Sequence, residues 1–148
     1  MISVELIKKL REKTGAGIAD CRNALEETKG DLAKAEEVLK KKGLEKATKK
    51  SERETHQGRV FSYVHAGKIG VLVSLQCETD FVAKTEEFQD LGKEICLQIA
   101  SMNPKDTKEL ESQEYIRDPQ QKIGDMIKSV IGKLGENIKV GSFSRVTV

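Results

Sequence analysis

Histidine and cysteine are scarce in this 148-residue chain, tryptophan is missing, and proline occurs only twice. Two imidazoles (His56 and His65) and three widely spaced thiols (Cys21, Cys77 and Cys96) offer little from which to build a metal centre or a hydrolytic site. There is no Cys-x-x-Cys pair, and an odd number of thiols makes no disulfide framework, so buried reduced cysteines are expected. No apolar run approaches the roughly 20 residues of a membrane span. The start, MISVELIKKLREKTG, carries charges at helical spacing where a signal segment would be apolar. A cytoplasmic protein with no membrane contact, metal, cofactor or enzymatic activity is therefore expected. The net charge of +2 provides no global basic field to draw the chain to nucleic acid. What is abundant is charge: 34% of residues are charged beside 37% hydrophobic, the composition of a helix-rich protein with a heavily solvated surface. The length suffices for one domain, or a small module joined to a larger one, without covalent staples.

Apolar periodicity divides the chain. Residues 1–43 read as three short helices that must pack together, because each is too short to stand alone in water. Ser3 caps the first, which turns Leu6, Ile7 and Leu10 inward and ends at Thr14-Gly15. Ile18, Cys21, Ala24 and Leu25 line the second, which stops at Gly30. Asp31 caps the third, with Leu32, Ala35, Val38 and Leu39 inward and Gly43 as terminator. Residues 44–57 have scarcely an apolar face and read as a charged linker or an exposed helix. Residues 58–148 read as an α+β core of about three antiparallel strands packed with helices. RVFSYVH (59–65) and the alternating run Ile69, Val71, Val73, Leu75, Cys77 form a hairpin around Ala66-Gly67-Lys68. A helix from Glu86 buries Phe88, Leu91, Ile95, Ile99 and Met102, and Asn103-Pro104 breaks it. Asp118-Pro119 is expected to open another, carrying Ile123, Met126, Ile127, Val130, Ile131 and Leu134 to a stop at Gly135. The last residues, NIKVGSFSRVTV, read as strand interrupted by Gly141.

Three features stand out. Gly15-Ala16-Gly17 gives a tight interhelical turn; as a phosphate cradle it lacks the preceding strand and the following Lys-Ser/Thr. Lys40, Lys41, Lys42, Lys46, Lys49 and Lys50 form a basic run, but Glu36, Glu37, Glu45, Glu52 and Glu54 interleave with them and no aromatic residue alternates with them, which suits a solvated helix surface better than phosphate contacts. In CETDFVAK (77–84) a strand runs out into Glu78-Thr79-Asp80, and Phe81 follows at the mouth of a helix. Two readings stay open there: Thr79 or Asp80 is a cap with Phe81 the first core residue, or Phe81 is an aromatic displayed for a partner's pocket. His65, at the hairpin tip, reads as a solvated turn residue.

Together these residues resemble the elongation factor Ts family. The resemblance begins at Leu10-Arg11, Thr14-Gly15-Ala16-Gly17, Asp20-Cys21 and Ala24-Leu25, and continues through Gly30-Asp31, Ala35, Leu39 and Lys42-Gly43. It resumes at Gly58, Ile69-Gly70-Val71-Leu72-Val73 and Glu78-Thr79-Asp80-Phe81-Val82-Ala83, the most specific stretch, then Phe88 and Gly135-Glu136-Asn137-Ile138. Ile18-Ala19 stand where the family commonly has bulkier apolar pairs. The resemblance implies a ubiquitin-associated-type helical module at residues 1–43. It also implies a guanine-nucleotide exchange factor for the GTPase elongation factor Tu in translation. Thr79, Asp80, Phe81 and Val82 would form the wedge that disturbs the GTPase's Mg²⁺ and phosphate site. Arg11, Ile18, Ala19, His65 and Leu134 would make further partner contacts. Longer family members carry two core subdomains in one chain, which leads to the expectation of a homodimer here, through the hairpin and the final strand around Phe143 and Val146. The alternative is a nucleic-acid- or ribosome-binding helical module, whose binding would collapse steeply with salt.

Overall fold

Ser3 opens the first helix of the computed structural model, which describes residues 1–148. Its hydroxyl accepts the Leu6 N–H at 3.2 Å, and α1 (Val4–Thr14) runs until the Gly15 N–H closes on the Arg11 carbonyl. After Gly17, α2 (Ile18–Glu27) begins; the Gly30 N–H returns to the Leu25 carbonyl beyond its end. Asp31 then caps α3 (Leu32–Lys50), its carboxylate accepting the Lys34 N–H at 3.1 Å. The first of two units, residues 1–46, is built from these helices around buried Leu10, Cys21, Ala24, Leu25, Ala35 and Leu39.

Gly43 does not end α3, which continues to Lys50. A glycine inside a helix is unfavourable by about 1 kcal/mol relative to alanine. The following turns keep their backbone hydrogen bonds, and Ala47 buries its methyl group in the core of the second unit, residues 47–148. The first part of the charged 44–57 stretch is thus helix, and the chain leaves it through a turn at residues 51–53.

The second unit is α+β. Strands β1 (Gln57–His65), β2 (Ile69–Cys77) and β5 (Lys139–Thr147) form an antiparallel sheet in the order β1-β2-β5. Ala66 and Gly67 both take positive φ, and the Lys68 N–H bonds the His65 carbonyl at 2.9 Å, so a two-residue turn joins β1 to β2. Period-two alternation puts Val71, Val73, Leu75 and Cys77 on the buried face and Leu72, Ser74 and Gln76 on the other. The pairing of β2 with β5 shifts after Ser74 and skips Gly141, a bulge at the place where the sequence interrupts the strand.

One face of the sheet is covered by α5 (Glu86–Met102), and α7 (Ile123–Leu134) packs against α5; together they contribute Phe88, Leu91, Ile95, Ile99, Ile123, Ile127 and Ile131 to the core. Gly92 is what lets α5 lie so close to β1: a Cβ there would fall 2.3 Å from the ring of Phe61, which packs 6.0 Å from the ring of Phe88. Arg145 reaches under β5 to donate two hydrogen bonds to the Ala100 carbonyl, one from Nε and one from an Nη.

The segment between α5 and α7 departs from expectation. It contains α6 (Thr107–Ser112), capped by Asp106, with Leu110 buried, and a two-stranded sheet of β3 (Glu114–Tyr115) and β4 (Asp118–Lys122). Asp118-Pro119 lies in β4 and does not open α7; the Asp118 carboxylate serves the Gln120 N–H and the Gln121 side chain instead. Pro119, which has no N–H to give, is tolerated in a short exposed strand. The start of α7 falls at Ile123, where Asp125 accepts the Lys122 N–H. Buried Gln98 pins this hairpin to α5, donating to the Glu114 carbonyl and accepting the Ile116 N–H. Tyr115 donates to Glu94 at 2.7 Å, and its phenol is pushed up to about 12, first by burial and then by that carboxylate. No helix of the chain is long and apolar enough to cross a membrane.

Candidate functional site

Beyond the end of β2 the chain makes a single helical turn, α4 (Asp80–Ala83), before α5 begins. Thr79 is its cap: the Thr79 hydroxyl accepts the Val82 N–H at 3.4 Å. Val82 and Ala83 turn into the core, which leaves the preceding side chain facing out. Phe81 is 87% exposed, and the packing explanation for it therefore fails. Asp80 is exposed too and pairs with Lys84 at 2.8 Å across one helical turn.

A four-residue helix has too few hydrogen bonds to hold itself together. Its geometry comes from the residues that follow α7. Gly135 ends that helix at φ 76°, in the left-handed region that favours glycine, and delivers Glu136 beside the turn. One Glu136 oxygen accepts the Thr79 N–H at 2.9 Å; the other accepts the Thr79 hydroxyl at 2.6 Å. Glu78 answers in the opposite direction, accepting the Asn137 N–H at 2.6 Å and lying 3.6 Å from the Arg53 guanidinium. Asn137 is buried, and its side-chain amide donates to the carbonyls of Ser51 and Arg53, where the chain leaves α3. Two Glu-led dipeptides, Glu78-Thr79 and Glu136-Asn137, therefore clamp each other, each carboxylate taking a backbone N–H of the other pair. Charge-assisted bonds of this kind are the stronger ones.

Cys77, the last residue of β2, donates from Sγ to the Thr79 carbonyl at 3.1 Å. Its thiol is pushed up by burial, and the Glu136 carboxylate adds to the effect. Cys96 lies in the core, where burial raises it to about 11. The three cysteines are free and buried.

The other residues singled out by the sequence lie elsewhere. His65 sits at the opposite end of β2 from Phe81, separated by a nine-residue strand, roughly 26 Å at about 3.3 Å per residue. Its Nδ1 is 2.8 Å from the Tyr63 hydroxyl, which fixes the ring's direction. Leu134 is half-buried against the core two residues before Glu136. In the first unit Arg11, Ile18 and Ala19 are exposed and flank the same turn, Gly15 to Gly17, between α1 and α2. Sequence reasoning missed the clamp. Glu136 and Asn137 belonged to a recognised motif, but their pairing across 57 and 59 residues has no local signal.

Fold and turn together define the class: an α+β protein that holds an aromatic residue out on a clamped single helical turn. A family model described as Elongation factor TS matches residues 78–148. A protein from Thermosipho melanesiensis named Elongation factor Ts is 42% identical over 194 aligned positions, covering all of this chain and 99% of that protein. One of the same name from Petrotoga mobilis is 44% identical over 193 positions, covering 99% and 98%. Another, from Anaeromyxobacter sp. (strain K), is 42% identical over 190 positions, covering 97% and 87%. The chain belongs to the elongation factor Ts family. These alignments extend over more positions than the 148 residues present here, so the relatives carry residues with no counterpart in this chain.

Proposed function

We propose that this protein is a guanine-nucleotide exchange factor for elongation factor Tu in translation elongation, acting by contact and forming or breaking no covalent bond. The observation that carries this reading is Phe81, 87% exposed on a turn held by the Glu136 side chain. A solvated phenylalanine on a rigid mount suits insertion into a partner's pocket, where aromatic anchors supply most of the binding energy. A GTPase holds its nucleotide through Mg²⁺, a phosphate-cradling loop and switch segments. In this reading the Thr79–Val82 turn enters beside that site, with Phe81 as wedge and Asp80 beside it, and the Mg²⁺ and phosphate contacts loosen. Val82, being buried, acts as the root of the wedge and does not touch the partner. Coupling of this kind is reciprocal: bound nucleotide weakens the factor as much as the factor weakens nucleotide.

Residues 1–43, as a ubiquitin-associated-type module, serve as a separate grip through Arg11, Ile18 and Ala19, joined by residues 44–57 to the core at 58–148. His65 and Leu134 contact the partner from the core. The protein works in the cytoplasm without a cofactor of its own. The test is release of labelled GDP from elongation factor Tu: a catalytic amount of the protein should accelerate it, and an unchanged release rate would sink the assignment.

The same reading includes a homodimer. Outward along the three-stranded sheet lie Val60, Val64, Leu72 and Val146, each more than half exposed. Register places Val64, Gly70 and Val146 in one row and Ser62, Leu72 and Ser144 in the next. Phe143 faces the other way, against the core, so the apolar contribution of the last strand to this face is Val146. A two-fold axis through such a face makes it self-complementary, and a stable pair should bury more than about 1,000 Å². Sedimentation equilibrium at micromolar concentration should give twice 16.5 kDa for the protein and 16.5 kDa for Leu72→Glu. A single 16.5 kDa species from the unsubstituted protein would rule the dimer out.

A further inference from the structure

We infer that Glu136 is the positioning residue of the exchange turn, the side chain that fixes the direction in which Phe81 is presented; this inference rests on the wedge reading of Phe81. Three observations meet at this carboxylate. It accepts both donors of Thr79, the backbone N–H on one oxygen and the hydroxyl on the other. The Thr79 hydroxyl, pointing its hydrogen at Glu136, has its lone pairs free for the Val82 N–H, so the orientation set at Glu136 passes through Thr79 into the first turn of α4. Phe81 lies between those two residues, and its side chain makes none of the core contacts that would hold it on its own account.

The chemistry calls for a carboxylate. Glutamate has two acceptor oxygens and no donor when ionised, matching two donors on one residue. Glutamine would offer one acceptor and one NH₂ group: its oxygen can keep the Thr79 N–H, but its nitrogen can only donate to the hydroxyl, which must then turn its own proton away from residue 136. Alanine would leave the half-buried Thr79 N–H without its acceptor and free the Thr79 hydroxyl to rotate. Neither substitution touches the hydrophobic core around Phe88 and Ile95, and the reciprocal bond from Asn137 to Glu78 stays in place. What changes is the freedom of a one-turn helix. An unfixed turn must be ordered during binding, so more factor is needed for the same effect.

The test is a double-mutant cycle in the full chain, with release of labelled GDP from elongation factor Tu measured over a range of factor concentrations. Circular dichroism of each variant confirms that it is folded. Glu136→Ala should slow release about tenfold at low factor concentration, the effect of losing one charge-assisted interaction. Glu136→Gln should fall between it and the unsubstituted protein. In a Phe81→Ala background, Glu136→Ala should change the rate by less than about twofold, because the residue acts through Phe81. An equal tenfold loss in both backgrounds would assign Glu136 a separate role and overturn the inference. Normal exchange by a folded Glu136→Ala, with Phe81→Ala slow, would remove the positioning role and leave the wedge standing. Should Phe81→Ala itself exchange normally, both fall.

Discussion

Phe81→Ala should slow GDP release from elongation factor Tu by about 30-fold or more at sub-saturating factor, the loss expected of an interface hot spot worth ~2 kcal/mol. The same substitution should leave stability within about 0.5 kcal/mol, because an 87% exposed side chain gives up no buried contact. This pairing of a large functional effect with a flat melting curve is what separates a displayed aromatic from a packed one. Stopped-flow release of a fluorescent nucleotide, alongside thermal melts, reads both. A protein that melts early yet exchanges normally once refolded would return Phe81 to the core.

Phe88→Ala should do the opposite. Phe88 is fully buried, seven residues further along, under β1 and against Phe61. Truncation leaves a cavity the size of a phenyl ring in a layer built from β2, α5 and α7, with an expected loss of about 3–5 kcal/mol. For a unit of this size that is a fall of roughly 10–20 °C in its melting transition. Urea denaturation followed by circular dichroism provides the check. Exchange per folded molecule should be little changed, since Phe88 does not reach the surface. If the midpoint does not move, the assignment of Phe88 to the core is wrong.

The two phenylalanines show how far the sequence could be read. Phe88 declares itself, because Leu91, Ile95 and Ile99 recur behind it at helical spacing, and α5 buries all four. Phe81 does not: a cap followed by an aromatic is equally consistent with packing and with display, and only the resemblance to a family weighed between them. Helix ends marked by Gly15, Asn103 and Gly135 were legible, since each meets a local conformational need. Gly43 was misread because the helix continues on the strength of Ala47, a contact made far from it in sequence. The Asp118-Pro119 pair was misread for the converse reason. It satisfies the local rules for a helix start, but pairing with Glu114-Tyr115 takes the segment into a strand first. The expected sheet of three antiparallel strands is there, and β3 and β4 add a second, smaller one. The clamp around Thr79 lay beyond local reading, since both partners are ordinary polar residues until the fold brings them together.

That separation in sequence has a kinetic side. The bonds from Thr79 to Glu136 and from Asn137 to Glu78 close loops of 57 and 59 residues, and β5 joins the sheet only when residues 139–147 arrive. Non-local closures of this kind are the slow events of folding, and during synthesis they wait until residues 136–147 have emerged. A nascent chain that has emerged as far as α5 possesses Phe81 but nothing to aim it. Only when Gly135, Glu136 and Asn137 have followed can the turn that carries the aromatic be clamped, so its geometry is set late in folding.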